Sequence, residues 1–181
     1  AKKDSPDESP RLRPWITISR ALGAGGGRIA QELAVRLEYQ VIDREIVEVL
    51  VREQHSQRAL IESLDERDRS ALEIWVESLL RGRILYKGDY LRTLIRVLNS
   101  IALHGRVIIM GRGANFILQP DHGLHVRITA PFSKRVTAVS ERLSIPREEA
   151  ERRVAQADQE RAAFIHGYFH HSIDDPLSYD L

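Results

Sequence analysis

Four glycines stand within five residues at positions 23–27, between a β-prone run and a stretch with helical spacing. This many glycines cost backbone entropy, so the loop must need unusual dihedral angles or a close approach to its backbone. The amides of such a loop and of the helix after it form a good phosphate site. An alternative is that the glycines only let strand and helix pack closely. The expected phosphate-binding residues are Gly23, Ala24, Gly25, Gly26, Gly27, Arg28 and Ile29.

The glycine loop departs from both standard nucleotide-binding patterns. A Walker A loop ends in Gly-Lys followed by Ser or Thr, but no lysine occurs between Lys3 and Lys87. The dinucleotide pattern fits its first two glycines and places Asp43 near the expected ribose acid, but Arg28 stands where Gly or Ala is needed. The residues therefore predict a nucleotide site of open type and disfavour a nicotinamide-dependent oxidoreductase.

Charged side chains follow two further predicted strands. Asp43 and Glu45 come after a short apolar run, and Arg112 lies between two glycines after a buried-type strand. The carboxyl ends of parallel strands are where open α/β sheets bind ligands, so these side chains are candidates for the same site. For Asp43 the alternative is a helix cap, with Glu45 in the first helical turn.

An arginine-bearing helix near the chain end carries charges spaced by threes and fours. One interpretation is a solvated face of ion pairs, and the other is a lid that closes over phosphates. Three histidines follow at positions 166, 170 and 171, but no acidic residue stands at a compelling ligand spacing, so we do not predict a metal site there. The candidate lid residues are Arg152, Arg153, Asp158 and Arg161.

The hydrophobic pattern predicts the elements that must position these residues. Strands are expected at about 15–18, 39–42, 106–110 and 124–129, and a fifth begins within 175–181. Helices are expected after the glycine loop, at about 45–54, 58–82 and 88–104, and after Pro131 and Pro146. The fold class is therefore α/β: a parallel sheet of about five strands with helices on both faces. A helical insertion spans about 46–104, and the lid region spans about 146–172.

Length and composition fit one globular domain. The chain has 181 residues, 43% apolar and 29% charged, so residues 14–181 form one domain behind a flexible tail or linker at 1–13. There is no membrane-spanning run, no cysteine, a net charge of +1 and no concentrated basic patch, so neither a membrane nor nucleic acid is an expected partner. We expect a cytoplasmic protein. An upstream domain and a homodimer contact through the insertion are further expectations.

The order of these motifs resembles the P-loop nucleoside monophosphate kinases and, more narrowly, the cytidylate kinase-like family. The resemblance extends from about residue 14 to the end. Its motifs are Ile18-Ser19-Arg20, Gly23-Ala24-Gly25-Gly26, Val41-Ile42-Asp43-Arg44-Glu45, Ile108-Ile109-Met110-Gly111-Arg112-Gly113-Ala114-Asn115, the run from Asp158 through Arg161 to Phe164, and the run from Asp175 to Leu181.

The resemblance implies transfer of the ATP γ-phosphoryl group to a pyrimidine nucleoside monophosphate, CMP or dCMP, with Mg²⁺ bridging the phosphates. In the better-known cytidylate kinases the lysine of the loop stands where this chain has Gly26, and its hydroxyl residue where this chain has Arg28. The alternative is therefore a weak or inactive nucleotide-binding module that regulates an upstream domain. The resemblance assigns the ATP phosphates to residues 23–29, the acceptor to Asp43, Arg44 and Arg112, and charge stabilisation to Arg20, Arg28, Arg112 and Arg161.

Overall fold

A four-stranded parallel sheet lies at the centre of the computed structural model, which describes residues 14–81, 88–119 and 122–181. The order across the sheet is β2-β3-β1-β4. Because the strands are parallel, all four end at one edge of the sheet, with β1 and β3 in the middle. The charged residues that follow the strands therefore lie at this edge, as predicted. The strands are β1 (Trp15–Arg20), β2 (Gln40–Ile42), β3 (Val107–Met110) and β4 (Gly123–Ile128).

Seven helices are described around the sheet, which confirms the predicted α/β class with helices on both faces. The helix α1 follows the glycine loop, the helices α2 to α5 form the insertion between β2 and β3, and α6 and α7 follow β4. Short 3₁₀ turns occur at Ala114–Phe116 and Pro176–Ser178. The helices are α1 (Gly26–Leu37), α2 (Arg44–Arg52), α3 (Gln54–Glu62), α4 (Glu66–Arg81), α5 (Gly88–His104), α6 (Phe132–Leu143) and α7 (Arg147–Phe169).

The single helix predicted over 58–82 is wrong: two helices occupy this stretch. They are separated at Ser63, where the hydroxyl donates to the Leu60 carbonyl at 2.6 Å, and Asp65 accepts from the Asp68 amide at 2.8 Å. Such side-chain bonds to the backbone end one helix and begin another. Leu64 between them stays buried, which keeps the apolar spacing continuous through the break. Residue 82 lies outside the described residues.

The predicted fifth strand is also wrong, because residues 175–181 form no strand. Asp175 instead caps the short 3₁₀ turn, its carboxylate accepting from the Leu177 amide at 3.0 Å. Only the last residues run beside β4. There the Leu181 carbonyl accepts from the Arg127 amide at 2.8 Å, and the Asp180 amide donates to the His125 carbonyl at 2.8 Å. This segment thus lies along the β4 side of the sheet without being a strand.

The sheet buries a different core on each face. On one face α1 packs through Ala30 and Ala34 against Ile18 and Ile108. On the other face the insertion helix α5 joins Ile109, with its fully buried residues Leu91, Leu94, Ile95 and Leu98. A third cluster lies between α6 and α7, which contact each other closely. Among the described helices, none is long and apolar enough to cross a membrane.

His125 on β4 is buried beside Trp15, and its Nδ1 lies 2.7 Å from the Thr17 hydroxyl on β1. Burial lowers the pKa of His125, although the Asp180 carboxylate opposes the shift. The unfolded chain therefore binds a proton at His125 at a higher pH than the folded chain does, so folding stability falls as pH drops below about 6.5.

We expect urea titrations between pH 7 and pH 5 to show this fall in stability, with a shallower slope for His125→Asn. An equal slope in that variant would contradict it, and the exposed His55→Asn is the control.

Candidate functional site

A cavity of about 400 Å³ opens at the carboxyl edge of the sheet, and four arginines line it. Arg20 is the last residue of β1, and Arg112 follows β3 by two residues. Arg44 begins α2 after β2, and Arg161 comes from the long helix α7. The fold thus collects four guanidinium groups from distant parts of the sequence around one space of a size suited to a small ligand.

Two of the four arginines, Arg20 and Arg161, form no ion pair with any described residue. Among the described residues, no acid lies within ion-pair distance of Arg20 or Arg161, and the buried Nη1 of Arg161 has no hydrogen-bond partner. Burial lowers the pKa of Arg20, and repulsion from Arg161 and Arg44 adds to it. Burial also lowers the pKa of Arg161, with Asp158 opposing. Partly buried cations that repel one another favour an anionic ligand, because the ligand supplies the missing charge and acceptors.

The other two arginines are paired. The Arg44 Nε lies 3.4 Å from a Glu45 carboxylate oxygen, and the Arg112 Nε lies 2.7 Å from a Glu48 oxygen. Arg112 has a left-handed backbone with φ 55°, between Gly111 at 81° and Gly113 at 67°. A left-handed conformation is costly for arginine, and such strain occurs mostly where function requires a fixed direction.

The glycine loop lies beside this cavity without lining it. Gly23 and Gly25 have φ of 83° and 78°, and a Cβ at Gly23 would overlap the Arg135 carbonyl. A Cβ at Gly26 would lie 2.6 Å from the Cβ of Arg20. Backbone conformation and packing therefore explain three of the glycines. Gly27 is different, because its φ is ordinary and nothing lies within 4 Å of its Cβ position, so a ligand at the start of α1 would explain it.

Gly27→Ala separates the packing and phosphate explanations of the loop. Alanine should stabilise the unliganded protein by about 0.5 kcal/mol, since it favours helix over the unfolded chain. If ATP phosphates bind at the start of α1, alanine should also weaken ATP binding, because its methyl group would occupy the open space beside Gly27. Urea unfolding and calorimetric ATP titration measure the two effects. Gly26→Ala is the comparison variant and should destabilise by about 1–3 kcal/mol through its clash with Arg20. Unchanged ATP affinity in Gly27→Ala would favour the packing explanation.

Comparison with known proteins identifies the family of this fold. The cytidylate kinase-like family matches residues 15–181. The chain belongs to this family. A crystal structure of an uncharacterized protein from Eubacterium ventriosum ATCC 27560 is similar, with a TM-score of 0.71 and 19% identity, over 93% of this chain and 86% of that one. At this identity the likeness shows the fold alone. Comparison with curated proteins finds no match.

Membership of the cytidylate kinase-like family supports a nucleotide kinase-like fold. Not all of the predicted site residues line the cavity. Arg28 does not line the cavity: its side chain is 74% exposed and pairs with Glu32 at 2.6 Å along α1. Asp43 caps α2, with its carboxylate accepting from the Ile46 amide at 3.0 Å. Glu45, in the first turn of that helix, does line the cavity. For Asp43 the structure therefore has the capping arrangement.

Only one of the four candidate lid residues reaches the cavity, namely Arg161. Arg153 pairs with Glu149 one turn earlier on α7, and Arg152 is exposed. These two fit the alternative of a solvated helix face. Asp158 forms a two-pronged pair with an arginine of α6 that the sequence analysis missed.

That missed arginine is Arg135, which is nearly buried and joins three elements. It donates to both carboxylate oxygens of Asp158 at 3.0 and 2.8 Å, and to the Ala130 carbonyl at 3.0 Å. A further contact at 3.4 Å reaches the Leu22 carbonyl, just before the glycine loop. The signal was present in the sequence: positions 132, 135, 136 and 139 form one helical face, and only position 135 is charged.

Acidic and histidine side chains do not form a metal centre of three or more residues in the described ranges. The His171 ring stacks on Phe116 with centroids 5.1 Å apart, and the rings of His166 and His170 meet edge to face at 6.3 Å. These histidines thus have packing roles in the structure.

Proposed function

We propose that the protein is a nucleotide kinase that transfers the ATP γ-phosphoryl group to a pyrimidine nucleoside monophosphate, CMP or dCMP. One observation carries the proposal: a cavity at the sheet edge holds four arginines, two of them without an ion-pair partner in the described part of the chain. The kinase-like fold of the family supports it. Phosphoryl transfer needs positioned cations more than covalent help, because its charge spreads over several phosphate oxygens.

In this proposal the four arginines have two different roles, which depend on whether each arginine forms an ion pair. Arg20 and Arg161, which form no ion pair within the described ranges, stabilise the charge on the transferred phosphoryl group. Arg112 and Arg44 hold the acceptor phosphate. An acceptor phosphate oxygen attacks the γ-phosphorus, the bond from that phosphorus to the bridging β-oxygen breaks, and the products are ADP and a nucleoside diphosphate. The amides of the glycine loop bind the ATP phosphates, and Gly26 connects the loop to the cavity by packing on Arg20.

Mg²⁺ is proposed to enter with ATP as part of the substrate. The carboxylates of Glu45 and Glu160 line the cavity, and Mg²⁺ in such sites keeps several waters and uses one or two carboxylates beside the phosphates. The side chains present fit this arrangement. When bound, the ion would neutralise charge between the β- and γ-phosphates.

Acceptor-dependent ADP release is the test of the proposed activity. ATP and Mg²⁺ are mixed with the protein and with CMP, dCMP, UMP, AMP or GMP in turn, and ADP is measured by a coupled assay. We expect release to depend on the monophosphate and to be fastest with CMP or dCMP. ADP release at the same rate without any acceptor would contradict the proposal.

A second candidate function is a nucleotide-binding module without turnover, attached to an upstream domain. The observation that favours it is the loop itself: Gly26 occupies the lysine position, and Arg28 is directed to Glu32 instead of the cavity. Calorimetric binding of ATP together with no acceptor-dependent release would support this candidate over the first.

A further inference from the structure

Arg112 is held on three sides, more firmly than the other arginines of the cavity. Its backbone is fixed in the left-handed region between two glycines that are left-handed as well. Its guanidinium carbon lies 5.0 Å from the centre of the Phe164 ring, which covers one face of the group. Its Nε lies 2.7 Å from Glu48, in an ionic contact without the alignment of a hydrogen bond. The side chains of Arg112 and Glu48 are only 19% and 16% exposed.

Glu48 is itself held by a residue from another helix. The Tyr90 hydroxyl on α5 donates to the same Glu48 oxygen at 2.7 Å, across 42 positions of sequence. Burial and this hydrogen bond raise the pKa of Tyr90, so the hydroxyl remains a donor. Glu48 belongs to α2 and Tyr90 to α5, so two helices of the insertion together orient one arginine of the cavity.

The direction of the Glu48 contact decides what Arg112 can offer a ligand. A guanidinium has two usable edges, one that includes Nε and one formed by the two terminal nitrogens. Glu48 contacts the Nε and Phe164 covers a face, and no described residue pairs with the terminal nitrogens, so their edge can take a second anion. A phosphate fits that edge with two parallel hydrogen bonds. Phe164 also stands three residues after Arg161 on α7, so the same helix supports both arginines.

We infer that Glu48 and Tyr90 are positioning residues that hold Arg112 with its terminal edge free for a phosphate group. This inference rests on the proposed phosphate-binding role of the cavity and extends that role to the helical insertion. The role of Glu48 is not to neutralise the positive charge of the cavity. It fixes the guanidinium so that little side-chain entropy is lost when the anion binds.

The test measures calorimetric binding of pyrophosphate to the full chain, which needs no turnover. Glu48→Gln keeps the shape of the side chain and can still accept from Tyr90, but it removes the ionic contact. We expect it to weaken pyrophosphate binding about tenfold, and Tyr90→Phe to weaken it by a smaller factor in the same direction. Glu73→Gln, which removes an exposed carboxylate of the insertion that pairs with Arg96, is the control and should leave the affinity unchanged.

A double-mutant cycle with Arg112→Gln distinguishes positioning from a general structural effect. If Glu48 acts through Arg112, the double variant Glu48→Gln/Arg112→Gln binds pyrophosphate no more weakly than Arg112→Gln alone. Additive losses, an unchanged affinity in Glu48→Gln, or an unchanged affinity in Arg112→Gln would each overturn the inference. Tighter binding in Glu48→Gln would overturn it as well, since Glu48 would then be a competing anion.

The same experiment separates this inference from the proposed activity. Wild-type protein that binds pyrophosphate as described but transfers no phosphoryl group would overturn the kinase proposal and leave the positioning role intact. Where transfer is observed, Glu48→Gln should raise the KM for the monophosphate about tenfold while the KM for ATP stays within about twofold. Equal increases in both KM values would instead mark a general disturbance of the fold and overturn the inference.

Discussion

Arg161→Met is expected to reduce phosphoryl transfer by about 10²–10³-fold, roughly 3–4 kcal/mol of barrier, while leaving the protein at least as stable. The loss is expected because Arg161 lines the cavity without an ion-pair partner among the described residues, so in the proposed reaction its charge can stabilise the transferred phosphoryl group. The stability is retained because burial disfavours the charged side chain in the folded state, although attraction by Asp158 opposes this effect. Removing the charge should therefore leave the unfolding free energy at or slightly above that of wild type. Initial rates and urea titrations measure the two effects.

Two variants control for the change at Arg161. Arg152→Met makes the same substitution on an exposed part of the same helix and should leave both quantities near wild type. Arg161→Lys keeps the charge without the planar fork and should lose activity to an intermediate degree. Full activity in Arg161→Met would remove Arg161 from the site. A large loss of stability would show that its role is structural.

Arg135→Met is expected to have the largest effect on stability, a loss of about 3 kcal/mol. The side chain is 10% exposed, and its removal leaves the Asp158 carboxylate and the Ala130 carbonyl without their donor. The Leu22 carbonyl before the glycine loop loses its contact as well. The substitution therefore loosens α6, α7 and the start of the loop together. Urea unfolding checks the size of the loss, and ATP titration checks the effect on the loop.

The matched control for Arg135 is Arg142→Met, an exposed arginine in the last turn of the same helix. It should change stability by less than about 0.5 kcal/mol. Asp158→Asn should cost less than Arg135→Met, because the amide still accepts one hydrogen bond and Arg135 keeps its carbonyl partners. A loss below about 1 kcal/mol in Arg135→Met would contradict the bridging role.

Local pattern was sufficient to predict most of the fold. The four strands and α6 follow from apolar runs and from Pro131, which all act within a few residues. The break at positions 63–65 was missed because the buried Leu64 continues the apolar spacing, while the capping bonds that end α3 are invisible to periodicity. A fifth strand was predicted to begin within residues 175–181, but Asp175 instead caps a short 3₁₀ turn.

The candidate site could be predicted where a charged residue follows a strand or lies on the arginine-bearing helix, as Arg112 and Arg161 do. Arg112 was found because strand ends of a parallel sheet meet at one edge, whereas Arg20 was included through the family resemblance. Arg28 was included because it adjoins the glycine loop, but position in the chain does not determine side-chain direction, and its guanidinium pairs along α1. Glu48 and Tyr90 carried no signal, since their contact joins two helices of the insertion.

The most direct test of the central account follows the γ-phosphorus of labelled ATP in the presence of CMP and Mg²⁺. We expect the label to appear in CDP. Arg161→Met and Arg20→Met should each reduce this transfer by about 10²-fold or more while ATP still binds. Label that remains in ATP, or that passes to water as inorganic phosphate at the same rate with and without CMP, would contradict it.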